Sequence, residues 1–461
     1  MQHLSLLDLG FLITETKASP KHVGGLQIFK RPKGARSGFA QRLYRELLQA
    51  SEVKAPYNQL IHLAPGALPQ WRAAPSVALD QHLFLHALPR GQADRKALYA
   101  LVAELHEPLL DRRRPLWEMH LIDGLADGGF AVYLKMHHAC ADGVTMVRWV
   151  AQALSDSPDD RRLRPVWTID HGGQRTRARG GSGQRLQAVG AQLLGAGRHA
   201  LGIARLGAML LLEGGRLTKN AVALPFVATP RTPLTGKATP GRQFASAMLP
   251  MARVDALRRR TRATLNHVAL TCLDGALRHY LAELGVELKR PVVIQMPVNL
   301  RHEGDRNAGN KIGIVLVELS PPTDDPYLRL RNVGYSLRGV RTMIDSVEPA
   351  AIETYTVLTQ ALATAADLLG LHALLPPMGN TLVSNVPGPK QPLYLKGAEL
   401  LEMLPVSTLP AGNLLNITLF SYAGQLFFCL VATDELPDLQ LLAGYVDRAF
   451  TELEAAVHGA A

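Results

Sequence analysis

Two adjacent histidines and an aspartate, His137, His138 and Asp142, lie in AVYLKMHHACADGVTMVRWV, where an alternating apolar run gives way to a helical one. An imidazole has an unperturbed pKa of ~6.5, so near neutrality it can take a proton from a substrate hydroxyl and hand it on. Phe130, Val132, Leu134 and Met136 alternate as on one face of a strand; that parity carries on to His138, while His137 points the other way. Consecutive histidines on opposite faces do not readily meet one ion, so HHxxxD is not read as a metal site. No GxSxG elbow offers a serine nucleophile, and Cys140 lies on the turn without an evident partner base. His138 is thus a candidate general base and a nucleophile mechanism the weaker option, although the spacing alone leaves several chemistries open. Each residue also has an ordinary structural explanation. Asp-Gly is a common turn, and Asp142 would cap the helix marked by Val144, Val147, Val150, Ala151 and Leu154. Gly143 lets the helix start approach without a side chain, leaving its amide able to face developing charge.

The elements that must position this turn alternate in type. The opening LSLLDLGFL is a short apolar segment, followed by a loop through Pro20 and a strand from near His22, where Gly24 and Gly25 predict close backbone approach. Helical spacing covers residues 38–51, LDQHLFLHALP from Leu79 reads as a strand, and a second helix spans about Asp94 to Glu107. WEMHLID then starts a hairpin that returns through Gly129 into the histidine strand. Further on, RQFASAMLP, PVVIQMPVNLR, IGIVLVELS and TLVSNVPGP read as strands, with helices over 254–262, 266–284 and about 327–369. LLNITLFSYAGQLFFCLVATDEL is a hairpin turning at Ala423-Gly424, and a last helix runs from Leu439 to Val457.

The chain has 461 residues, 47% of them hydrophobic, long enough for two domains. Its three cysteines are scattered and odd in number, which predicts neither a zinc site nor a disulfide framework and fits a reducing cytoplasm. The N-terminus lacks a basic region ahead of a long apolar core and does not read as a signal peptide. Of the net charge of +11, nearly all arises between His171 and Arg242, with eleven Lys or Arg against one acid, Glu213. This stretch divides into a Gly-rich loop and an Ala/Leu/Gly-rich part whose apolar runs fall short of the ~20 residues a membrane span needs. Arginines beside an apolar face fit a helix packed across two lobes, or a contact with a membrane or lipid-droplet surface. No nucleic-acid-binding pattern is present. The expected organisation is therefore 1–170, a basic linker 171–243 with amphipathic helices, and 244–461.

HHxxxDG, here His137, His138, Asp142 and Gly143, resembles the active-site motif of acyltransferases that include chloramphenicol acetyltransferase and the condensation domains of peptide synthetases. Asp8 in LSLLD, HVGG at 22–25, PLWE from Pro115, HHACADG, PVNLR at 297–301, GNKIG at 309–313 and SNVPGP at 384–389 come in the order found in bacterial wax ester synthase/diacylglycerol acyltransferases. The resemblance spans about Leu4 to Leu453. Lys21 stands where that family usually has Met, and Asn266-His267 where it usually has Asn-Asp, so Asn266 is read as a helix cap and not as catalytic.

The resemblance implies an α/β fold of two chloramphenicol acetyltransferase-like lobes, mixed sheets flanked by helices, joined by the long basic, partly helical linker, with the active site between them. It implies transfer of a long-chain acyl group from acyl-CoA to a fatty alcohol or diacylglycerol, with no bound cofactor and an apolar passage reaching His138. The implied catalytic residues are His138, His137, Asp142 and Gly143, with Asp142 pairing to Arg301. Asn299, Asn385 and Asn416 are candidate oxyanion donors, and Pro115, Leu116 and Trp117 candidates for the substrate channel. The alternatives are a condensation-type or polyketide-ester enzyme fed by a carrier-protein thioester, and a lipid-droplet coat protein without activity, against which the intact HHACADG argues.

Overall fold

The alternating FAVYLKMH run forms a strand buried along its whole length, Phe130–His137, with a partner on each side. A computed structural model describes residues 2–4, 6–32, 34–35, 38–62, 69–89, 93–171, 225–226, 229–299, 312–371 and 374–459. Its elements in the first half are β1 (Gln2–His3), α1 (Leu6–Thr14), β2 (His22–Lys30), α2 (Phe39–Gln49), β3 (Gln59–His62), β4 (Gln70–Ala73), β5 (Leu83–Ala87), α3 (Arg95–His106), β6 (Trp117–Asp123), β7 (Phe130–His137) and α4 (Gly143–Ala153). The second half comprises β8 (Arg242–Pro250), α5 (Met251–Thr261), α6 (Leu265–Glu283), β9 (Val293–Asn299), β10 (Ile312–Glu318), α7 (Pro326–Ser346), α8 (Pro349–Leu368), β11 (Thr381–Pro387), β12 (Tyr394–Leu395), β13 (Ala398–Val406), β14 (Leu415–Tyr422), β15 (Gln425–Thr433) and α9 (Leu439–Gly459).

Two six-stranded mixed sheets carry the fold, in the orders β12-β13-β2-β7-β6-β5 and β10-β9-β11-β14-β15-β8, beside a small sheet β1-β4-β3. The α/β expectation of two sheets flanked by helices holds. β12 and β13 come from the second half of the chain yet complete the first sheet, with β13 antiparallel to β2 from Glu399↔Lys30 to Val406↔Gly24. The main apolar core of the first lobe likewise takes in Phe244, Phe420, Tyr422 and Phe427 from the second. α3 reaches across as well: Tyr99 stacks edge-on against Phe244 at 5.0 Å, and its hydroxyl lies 2.6 Å from Ser246 Oγ.

Sequence signals locate most of the elements. At the Ala423-Gly424 turn both residues have positive φ, 43° and 80°, the backbone a two-residue hairpin requires. Leu79–Gln81, expected to open a strand, is a short 3₁₀ turn, and the strand begins at Leu83. The single helix expected over 327–369 is two, α7 and α8. Pro349 lacks the amide a continuing helix needs and pushes Glu348 to an extended ψ of 136°. Gly24 and Gly25 divide: a Cβ on Gly24 would fall 2.4 Å from the Tyr133 ring, whereas one on Gly25 would meet nothing within 4 Å. Arg301, most of GNKIG and most of the basic linker, residues 172–224 and 227–228, lie outside the described residues.

Candidate active site

Strand β7 ends at His137, a turn follows, and α4 begins at Gly143. Asp142 is the cap: its side chain accepts the Thr145 amide at 2.7 Å, meeting one of the donors a helix start leaves without a partner. His138 is held on the turn by its own amide, which donates to the Lys21 carbonyl at 2.8 Å. Its ring stacks on Phe11, centroids 4.4 Å apart and planes 20° from parallel. Nδ1 is buried with no hydrogen-bond partner among the described residues, while the residue as a whole is half-buried. Burial pushes the imidazole below its ordinary 6.5, against the pull of the Asp142 and Asp8 carboxylates. Such a ring is neutral near pH 7, the form a general base needs.

The alternation expected for β7 runs to His137, where the strand ends and the turn carrying His138 begins, and its polar face is a surprise. Tyr133, Lys135 and His137 are all fully buried there. Lys135 Nζ donates to the Leu105 and Pro108 carbonyls, and burial takes its pKa down to about 8. Tyr133 hydroxyl lies 2.6 Å from His106 Nδ1, and His22, opposite His137 in the strand register, places Nε2 2.5 Å from the His106 carbonyl. Burial holds both His22 and His106 well below the usual histidine range. His137 Nδ1 accepts the Ala139 amide at 3.1 Å, and Nε2 lies 3.4 Å from Glu15 Oε1. His137 therefore braces the turn through Ala139 and Glu15.

Sequence reasoning missed Phe11 and Glu15. With Asp8 they fall at spacing i, i+3, i+7 along α1 and just past its end, all directed at the histidine turn. The signal was a helical period in LDLGFLITE, read above only as an apolar segment.

The remaining candidates separate. PLW packs in the core: Trp117 Nε1 donates to the Tyr57 carbonyl at 2.8 Å, and its ring lies between His82 and Trp167 at 4.5 and 5.4 Å. Leu116 clusters with Leu12, Leu110 and Ala139, and its carbonyl accepts the His137 amide at 3.0 Å; Pro115 is buried beside it. An apolar recess lined by Leu47, Met119, Val132, Leu134, Val150 and Trp167 lies on the Val132 and Leu134 face of β7, and His138 is not among the residues that line it.

Both amide hydrogens of Asn416 are engaged, by Ser407 Oγ and the Thr408 carbonyl, leaving none for an oxyanion. Asn385 donates to Asn266 Oδ1 at 2.6 Å. Its neighbour Val386 faces the first lobe, 3.9 Å from where a Gly143 Cβ would be, so in a strand of period two Asn385 is turned the other way, towards α6. On the Val386 side Ser384 Oγ donates to Thr418 Oγ1 at 3.0 Å, a hydroxyl pair the sequence did not single out. Asn266 is not the cap of α6; Thr264 is, accepting the His267 amide at 3.3 Å. Asn299 ends β9, and its side chain lies outside the described residues.

Comparison with known proteins bears on the whole chain. Residues 4–269 match the family described as wax ester synthase/diacylglycerol acyltransferase catalytic domain, and residues 308–454 its C-terminal domain. A Mycobacterium tuberculosis (strain ATCC 25618 / H37Rv) protein provisionally named a diacylglycerol O-acyltransferase is 36% identical over 457 residues, covering 98% of this chain and 100% of that one. The structure of the wax ester synthase/diacylglycerol acyltransferase from Marinobacter aquaeolei VT8 superposes with a TM-score of 0.79 at 32% identity, over 99% of this chain and 100% of that chain. The first condensation domain of the calcium-dependent antibiotic synthetase shares the fold, with a TM-score of 0.61 at 17% identity over 100% and 97% of the two chains.

Proposed function

This chain belongs to the wax ester synthase/diacylglycerol acyltransferase family and is an O-acyltransferase, and from that premise we propose that it moves a long-chain acyl group from acyl-CoA to the hydroxyl of a fatty alcohol or a diacylglycerol. The observation that supports the reading is the setting of His138: neutral, half-buried, its Nδ1 enclosed, on a turn whose next helix starts against the second lobe. His138 Nε2 accepts the hydroxyl proton as that oxygen attacks the thioester carbonyl. The tetrahedral oxyanion then collapses, breaking the carbon–sulfur bond; the departing thiolate takes the proton back from the imidazolium, so ester and free CoA thiol leave and the ring is again neutral. Gly143 at the start of α4 has an amide without an intrahelical acceptor, and it is the backbone donor we assign to the oxyanion. Asp142 supports the turn as helix cap, with Arg301 as the proposed second contact.

We place this chemistry in the cytoplasm, at the edge of a lipid phase. Among the described residues no helix is long and apolar enough to cross a membrane. α8 and the segment after it expose Leu358, Leu362, Leu369 and Leu374 at 60, 53, 71 and 76%, which supports peripheral contact with neutral lipid.

Incubating the purified protein with palmitoyl-CoA and either hexadecanol or diacylglycerol, and identifying the ester, tests the substrate class. A chain that turns over only a carrier-protein thioester would displace acyl-CoA from the reading. His138→Ala should cut turnover by about 10²- to 10⁴-fold, the usual worth of a positioned base. Undiminished turnover by that variant removes His138 from the mechanism.

A further inference from the structure

One carboxylate grips both chain segments that hold His138. The Glu15 side chain is 2% exposed. Its Oε1 accepts the Lys21 amide at 3.0 Å and lies 3.4 Å from His137 Nε2. Its Oε2 accepts from Arg112 at 3.0 Å, and the same guanidinium nitrogen donates to the Leu12 carbonyl at 2.6 Å, tying the end of α1 to the loop before β6.

Each grip is one step from the base. The Lys21 carbonyl accepts the His138 amide, and His137, which precedes His138, accepts the Ala139 amide that follows it. Because His137 Nδ1 is an acceptor, a neutral His137 must carry its proton on Nε2, facing Glu15. His138 is thereby suspended between two residues anchored to the same buried group.

We propose that Glu15 is a positioning residue for the acyl-transfer reaction, locking the His137 tautomer and the Lys21 backbone so that the His138 ring is presented in one orientation. The inference rests on His138 being the base, and Glu15 itself touches no substrate. Its charge is secure: burial pushes the carboxyl up, but His137, the Lys21 amide and Arg112 outweigh it and hold the group down to about 2. An anion at every working pH is a fixed anchor. Phe11, from the same stretch of chain, closes one face of the His138 ring by stacking, which limits its rotation from the other side.

Selective ¹⁵N-histidine labelling of the unmodified protein reads the tautomer directly, whether or not any variant folds. His137 protonated on Nε2 is expected, and a proton on Nδ1 overturns the proposal. Glu15→Gln should lower kcat by about 10- to 100-fold, as small misplacements of a reacting group do, with both KM values changed by less than about twofold. Glu15→Asp, which keeps the charge, should recover part of that loss. A Glu15→Gln protein with unreduced kcat also overturns the proposal. His138→Ala, assayed beside it, separates the two ideas: an inactive His138→Ala with a fully active Glu15→Gln removes Glu15 alone, whereas a fully active His138→Ala removes the base and the meaning of its positioning together.

Discussion

The base proposed here must be neutral before the substrate arrives, and burial favours that form of His138 by penalising the charged ring. Protonation switches the base off, and its pKa is displaced downward, so activity should persist below the ordinary histidine value. The acidic limb of kcat/KM is expected to have its midpoint below 6.5; a midpoint above that value would mean that another group titrates. At Asp142 the sequence allowed a cap and a scaffold role, and the bond to Thr145 establishes the cap. Asp142→Ala should cost about 1 kcal/mol in denaturant melts and, with His138 as the proposed base on the turn just before this helix, also lower kcat. Glu15 gives a residue-level dependence on acid. Its folded pKa lies below the unfolded 4.5, so its stabilisation is complete above 4.5 and is lost as pH falls towards about 2. The stability gap between Glu15→Gln and the unmodified chain should be full near neutrality and close across that acid window.

At the scale of elements, β2 and β7 are pressed together by a glycine and a tyrosine. Gly24→Ala would drive a methyl into the Tyr133 ring, and Tyr133 is itself pinned by His106, so a loss of roughly 1–3 kcal/mol is expected. Gly25→Ala, next in the same strand, meets open space and is the control. Equal melting temperatures for the two variants would contradict the packing. α8 carries the other element-level expectation. Replacing Leu358 and Leu362 by serine should weaken binding to phospholipid vesicles filled with triacylglycerol in flotation assays, while leaving turnover of detergent-dispersed substrates in place. Unchanged flotation would discard α8 as the lipid-facing surface. Period-two and period-3.6 signals located most of these elements, because each reports a local choice between exposing and burying alternate side chains. What they could not report was a face that buries polar groups. Tyr133, Lys135 and His137 look solvent-facing by pattern and are enclosed because α3 and the 105–108 carbonyls supply partners from afar.

For the molecule as a whole, the first sheet is unfinished without residues from the far end of the chain. A fragment of residues 1–170 lacks β12 and β13 and would leave β2 with an open, apolar edge. Such a fragment should aggregate or remain partly unfolded, whereas the full chain should lose both lobes in one transition by circular dichroism; a monomeric, cooperatively folding fragment would show the strand addition to be dispensable.

By itself the sequence determined the family and the class of fold and singled out His138 as the base proposed here: HHxxxDG, a strand running into a capped helix, and ordered motifs from Leu4 to Leu453 are all short-range or linear facts. Only the tertiary structure decided what surrounds that group. Trp117 went into the core, Asn416 spent its hydrogens on the 407–408 loop, Asn385 turned away with its strand's pleat, and Glu15 came beneath the histidines. Three of these depend on segments brought together across 60 residues or more, and even the Asn416 contacts span a loop of eight or nine residues; hydrogen-bond partners at such separations leave no periodicity in the chain to be read.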